Sequence, residues 1–314
     1  MASSTRKGIF AAGICAGAAV LALSLASGEG RAVRLRAAHA GEHTNIFVAT
    51  PGRAGLTRIT DNREAEDDEL AFAPSWSPGG RRIAFVEIRC EFCTAEIHVK
   101  RPRPPREGWL GPRLTFGFNP RFSPDGKQIA FVRRDGGIYV MRADGTRRRL
   151  LVRGGLADDG PSWSPDGRSL VFTRQETATR WRLYTVRVDG RQLRLVRTGV
   201  RAAVNPAWSP DGRRIAYAGQ VRTGRTRGRW QIYTVGLDGR NRRRVSNGRA
   251  SDSFPAWSPN GRRLAFVRQE GSGFAVFTMT AAGKQARRLT PRWMTAMQPA
   301  WSPAGKIAFA ADHR

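Results

Sequence analysis

A seven-residue phrase recurs six times along the chain and limits what it can fold into. Its fullest form is Pro161-Ser-Trp-Ser-Pro-Asp-Gly167, followed by the apolar run Leu170-Val-Phe172. The copies begin at Pro74, Pro120, Pro161, Pro206, Pro255 and Pro299, at spacings of 46, 41, 45, 49 and 44 residues. That period matches a unit of four short strands. One such unit cannot bury both its faces alone, so the copies must stack on one another.

Each copy predicts a tight hairpin. An aromatic residue (Trp76, Phe122, Trp163, Trp208, Trp257, Trp301) closes a first strand just before Ser-Pro. Proline presets φ for the second position of a type I turn, and Gly follows where positive φ or a bulge is needed. The Ser hydroxyl is placed to accept a backbone N–H across the turn. A second strand follows, as in Ile83-Ala-Phe-Val86. A second hairpin sits between copies: Ile138-Tyr-Val-Met141, Leu183-Tyr-Thr-Val186 and Ile232-Tyr-Thr-Val235 each precede an Asp-Gly turn. Asp-Gly between apolar alternations is a strong hairpin signal. The sixth copy stops after Lys306-Ile-Ala-Phe-Ala310, two strands short. The missing pair stands at the other end, as Asn45-Ile-Phe-Val-Ala49 and Leu56-Thr-Arg-Ile-Thr60. The expectation is therefore all-β: a six-bladed β-propeller of four-stranded antiparallel blades, its ring closed by N- and C-terminal strands in one blade. Closure of that kind removes open sheet edges.

Residues 1–40 differ from the rest. Arg6 and Lys7 precede an uncharged apolar stretch, Gly8–Ala26. A positive n-region before an apolar h-region predicts an export signal, cleaved after Ala26 or Ala40, or retained as a membrane anchor. The propeller domain then occupies 41–314, in an extracytoplasmic location: secreted, periplasmic, or held at the outer face of the cytoplasmic membrane. The chain carries a net charge of +29, and 49 of its 54 basic residues are Arg. Removing 1–40 takes away five basic residues and one acidic one, which leaves +25. Such a charge attracts an anionic surface polymer or lipid. Nucleic acid is disfavoured, because no aromatics interleave with the cations to stack bases.

The repeats resemble those of the TolB-type, WD-like propeller family, whose blades carry a Trp/Phe-Ser-Pro-Asp-Gly hairpin. The resemblance spans about residues 45–312. It implies an extracytoplasmic, monomeric propeller that serves as a scaffold for a protein partner in the cell envelope. The family's namesake carries a separate α/β domain ahead of its propeller, whereas about 40 residues precede the first strand here.

The polar residues just before each repeat proline are the candidate ligand-binding set at the channel mouth: Asn119, Asp159, Asn205, Asp252 and Gln298. They come from five copies and are expected to converge on one opening. No catalytic residue, metal ligand set or cofactor is expected. No Gly-x-Ser-x-Gly elbow occurs, the acidic segment Asp61–Glu69 lacks calcium-loop spacing, and His43, His98 and His313 are scattered. The alternative is a propeller hydrolase or lyase with a cation in the central channel. Cys90 and Cys93 are expected to form a local disulfide in an oxidising compartment.

Overall fold

A computed structural model describes residues 44–61, 69–89, 94–103, 112–223, 226–246 and 249–312. The export segment, Cys90, Cys93, His43, His313 and most of the acidic segment lie outside these residues.

The described residues form 24 strands. The first six are β1 (Thr44–Ala49), β2 (Leu56–Arg58), β3 (Glu69–Trp76), β4 (Ile83–Arg89), β5 (Thr94–Lys100) and β6 (Arg113–Phe116). Sheet I comprises β7 (Phe118–Phe122), β8 (Gln128–Val132), β9 (Ile138–Arg142) and β10 (Arg149–Val152). Sheet II holds β11 (Ala157–Trp163), β12 (Ser169–Thr177), β13 (Arg180–Arg187) and β14 (Arg194–Val196). Sheet III holds β15 (Ala202–Trp208), β16 (Arg214–Thr223), β17 (Thr226–Gly236) and β18 (Arg243–Arg244). Sheet IV holds β19 (Asp252–Trp257), β20 (Arg263–Glu270), β21 (Gly273–Thr280) and β22 (Arg287–Arg288). Last come β23 (Ala296–Trp301) and β24 (Ile307–Asp312).

The expectation of six separate blades is corrected. Sheets I to IV are four-stranded blades, but the remaining strands form one eight-stranded sheet in the order β23-β24-β1-β3-β4-β5-β6, with β2 paired to β1. The reason lies in the length of β2. It covers only Phe47–Ala49 of β1, Ile59 and Thr60 just beyond it bond Ile46, and Thr44 is left to pair in parallel with Leu70 of β3. The terminal strands and those of the first repeat are thereby one sheet. Pairing between the termini is present as the sequence predicts, with β1 antiparallel to β24 from Thr44↔Asp312 to Ala49↔Ile307. The first strands of the repeats touch in a closed cycle, β3 to β7, β11, β15, β19, β23 and back to β3.

The repeated turn behaves as its chemistry requires. Gly126, Gly167, Gly212 and Gly261 each donate to the carbonyl of the Ser three residues earlier, and all have φ near +70°. The Ser hydroxyl accepts a backbone N–H five residues on, as from Gln128, Ser169, Arg214 and Arg263, each at 2.9 Å. Neighbouring turns also fit together. A Cβ on Gly126 would lie 3.1 Å from Pro78 of the preceding copy, and Gly80 meets Pro303 across the closure.

The core follows from the second strand of each copy. Phe85, Phe131, Phe172, Tyr217, Phe266 and Phe309 are all fully buried. Each packs on a ring of the neighbouring strand with centroids 5.7–6.2 Å apart, stacked on His98, Tyr184, Tyr233 and Phe47 and tilted against Tyr139 and Phe277. Burying one such ring contributes about 1.5–3 kcal/mol. His98 therefore occupies an aromatic stacking position of the core, with Glu87 and Glu96 near its Nε2 at 3.4 and 3.3 Å.

Candidate functional site

The residue before each repeat proline lies within the first strand rather than in a loop. Ala73, Asn119, Gly160, Asn205, Phe254 and Gln298 all have φ between +48° and +58°. Each sits at a register shift, for example between Phe118 and Arg121 or between Val204 and Ala207. Each first strand is thus bulged at the same place, with a left-handed residue ahead of the proline. Asn tolerates that conformation better than other side chains, so Asn119 and Asn205 satisfy the backbone before any ligand is considered.

The five predicted residues fall into different settings. The Asn119 amide donates to Asp159 at 2.6 Å, which joins β7 to β11. Gln298 is buried, and its Oε1 accepts from the Ala73 backbone at 2.8 Å, which ties β23 to β3 at the closure. Asp252 is fully buried and takes a two-point contact from Arg268, at 2.8 and 2.9 Å. Asn205 is half-buried, and its side chain makes no hydrogen bond among the described residues.

Arg121, absent from the predicted set, completes the Asn119–Asp159 group. It stands between the repeat proline and the aromatic, where the other copies have Ser75, Ser162, Ala207, Ala256 and Ala300. A lone charge at a position otherwise filled by small residues was the available signal. Its guanidinium donates to the Pro120 carbonyl at 2.9 Å, and its other N–H groups have no partner among the described residues. Burial pushes Arg121 down to about 10, with the Asp159 charge opposing. Burial also pushes the Asp159 carboxyl up, while the Asn119 amide and the Gly160 backbone N–H hold it back. The two charges attract across a gap without forming an ion pair. The arrangement presents a half-buried cation and a hydrogen-bonded carboxylate side by side, able to receive a polar or charged group from outside. Among the described residues no group of three His, Cys, Asp or Glu side chains is placed to hold a metal ion.

The TolB beta propeller domain matches residues 59–179 and 173–314. The chain belongs to this family. Solved TolB-type structures share its fold. A putative TolB from Agrobacterium tumefaciens superposes with a TM-score of 0.69 at 22% identity, covering 88% of this chain and 100% of that one. TolB from Acinetobacter baumannii gives 0.62 at 18% identity, over 83% of this chain and 66% of that one. An oligogalacturonate lyase in complex with manganese gives 0.51 at 12% identity, over 87% and 98% of the two chains. These identities establish a common fold and nothing further. Comparison with curated protein sequences finds no match.

Proposed function

We propose that this TolB-type propeller is an exported, non-catalytic scaffold that holds a protein partner of the cell envelope at the inner rim of its ring. The observation that carries the reading is Arg121 with Asp159 and Asn119. A guanidinium with uncommitted donors, kept in a partly dry site, is suited to grip a carboxylate or carbonyl of a docking segment. Asn205 is available to contribute a further amide. Gln298 and Asp252 support the rim from behind, because their polar atoms are engaged within the fold. Export follows from the n-region and apolar run at 6–26, and the high positive charge keeps the protein close to anionic envelope polymer or lipid.

The test compares wild type with Arg121→Ala and with Asn119→Ala/Asp159→Asn as baits in envelope extract, with a melting curve for each. Charged hydrogen bonds contribute about 1.5–3 kcal/mol, so the protein captured by wild type should bind Arg121→Ala roughly 10- to 100-fold more weakly. Equal capture of that protein by all three baits sinks the reading. The rival, a hydrolase or lyase working through a cation in the channel, requires stoichiometric metal in the purified protein and turnover on a sugar-ester or oligosaccharide panel.

A further inference from the structure

At the other end of the same first strands, the seams between sheets are sealed in a repeated way. At two seams an Arg at the start of one copy's second strand covers the aromatic of the next. Arg82 lies over the Phe122 ring at 5.4 Å, and Arg214 over Trp257 at 5.3 Å. The indole N–H also reaches back across the seam: Trp163 to the Arg121 carbonyl, Trp257 to Ala207 and Trp301 to Ala256, at 2.9–3.2 Å. The seam between sheets II and III has neither contact. Ser169 stands where Arg82 and Arg214 stand at those two seams, and Trp208 turns its N–H to the Gly212 carbonyl of its own hairpin, at 3.1 Å. A cavity of about 660 Å³ opens there, against about 290 Å³ at the next seam, where Arg214 lies over Trp257.

The lining of this cavity defines what it suits. Trp208 is half-buried and supplies a flat apolar wall. The lining carboxylates accept hydrogen bonds within their own turns, Asp166 and Asp211 from a Ser hydroxyl and a backbone N–H, and Asp238 from the Arg240 backbone N–H. Arg187 pairs with Asp189 at 3.2 Å. Arg194 and Arg197, at β14 and just beyond it, pair with no carboxylate among the described residues. The lining thus sets three carboxylates beside three guanidinium groups, and Arg194 and Arg197 are the guanidinium groups left to receive an outside carboxylate. Ser169, Thr185 and Gln192 add hydroxyl and amide groups to the lining. The volume lies within the range of small-ligand pockets, about 300–1,000 Å³.

We propose that this groove binds a short segment of acidic oligosaccharide, with a sugar ring laid on Trp208 and its carboxylate held by Arg194 and Arg197. A pyranose has one apolar C–H face for the indole and several hydroxyls for the polar lining. A neutral sugar leaves both cations unused, and an apolar ligand leaves the hydroxyl and amide groups unsatisfied. The groove is separate from the Arg121 rim, so the two sites stand or fall independently.

The decisive variant fills the groove rather than damaging the fold. Ser169→Arg restores the covering cation seen over Trp257. Calorimetry on the full exported chain at low salt would use a hexuronic acid tetrasaccharide, its neutral hexose counterpart, a tetranucleotide and a tetraglutamate peptide. The uronate should bind wild type at least 10-fold more tightly than the other three. Ser169→Arg and Trp208→Ala should each weaken it at least 10-fold, with Ser169→Arg melting no lower than wild type. Arg194→Ala/Arg197→Ala should remove the preference for uronate over neutral sugar. Arg121→Ala should leave uronate binding unchanged. The proposal is overturned by absent uronate binding, by uronate binding that Ser169→Arg leaves intact, or by tighter binding of the nucleotide or the peptide.

Discussion

Sheets III and IV solve the same local problem in opposite ways. In sheet IV the site behind the bulge holds Asp252, paired at two points with Arg268, whose guanidinium lies over Phe266 and Phe277 at 5.2 and 4.9 Å. Sheet II does the same with Asp158, Arg174, Phe172 and Tyr184. In sheet III the equivalent positions are Ala203 and Gly219, and the space is closed by Tyr217 stacked on Tyr233. A Cβ on Gly219 would meet Tyr233 at 2.8 Å. The position thus requires filling, not charge. A buried ion pair there is a choice, stable only while both partners are present.

That contrast can be broken most severely by removing one partner. Arg268→Ala leaves a fully buried carboxylate unpaired and should cost about 3–5 kcal/mol in urea unfolding. A loss under 1 kcal/mol would mean that Asp252 had found another cation or a proton at little cost. The reverse intrusion, Gly219→Ala, forces a methyl group against Tyr233 and should cost about 1–3 kcal/mol by the same measurement. Smaller still, the double replacement Asp252→Ala/Arg268→Met should stay within about 1–2 kcal/mol of wild type, because the thioether chain can occupy the space over Phe277 without leaving a charge behind. A double variant as unstable as the single one would show that sheet IV depends on the charges themselves.

The smallest effect is the pH dependence. Burial raises the Asp158 and Asp252 carboxyls, and their Arg partners offset only part of that. The native state then holds these protons more tightly than the unfolded chain. Their contribution to stability is complete below the unfolded value and declines as pH rises through the raised native one. The turn residues Asp125, Asp166 and Asp211 act in the opposite sense, since Ser hydroxyls hold them low. What they contribute is present above the unfolded value and is lost as pH falls. Melting temperatures from pH 3 to 7 should therefore show a shallower acid limb for wild type than for Asp252→Ala/Arg268→Met. Superimposable curves would contradict the sign assigned to Asp252.

The turns, the strand order and the pairing of the two termini were legible because they rest on local chemistry repeated six times. Pro, Gly and Ser leave the same signature at every copy. The single eight-stranded sheet was not legible, since it turns on a one-residue contact, Thr44 with Leu70, and on how short β2 is. The bulge was hidden as well. An Asn before Pro looks like a polar loop residue until its positive φ is known, and Gln298 looks like a ligand contact until Ala73 is found bonded to it. Arg121 could have been found by aligning the copies and asking which residue breaks the pattern, rather than which residues are polar.

The pairing of β1 with β24 also sets an order of events. β1 can complete its hydrogen bonds only after β24 has been synthesised, so the sheet that joins them is finished late. Contacts of such sequence separation form slowly, and an unpaired edge is exposed in the meantime.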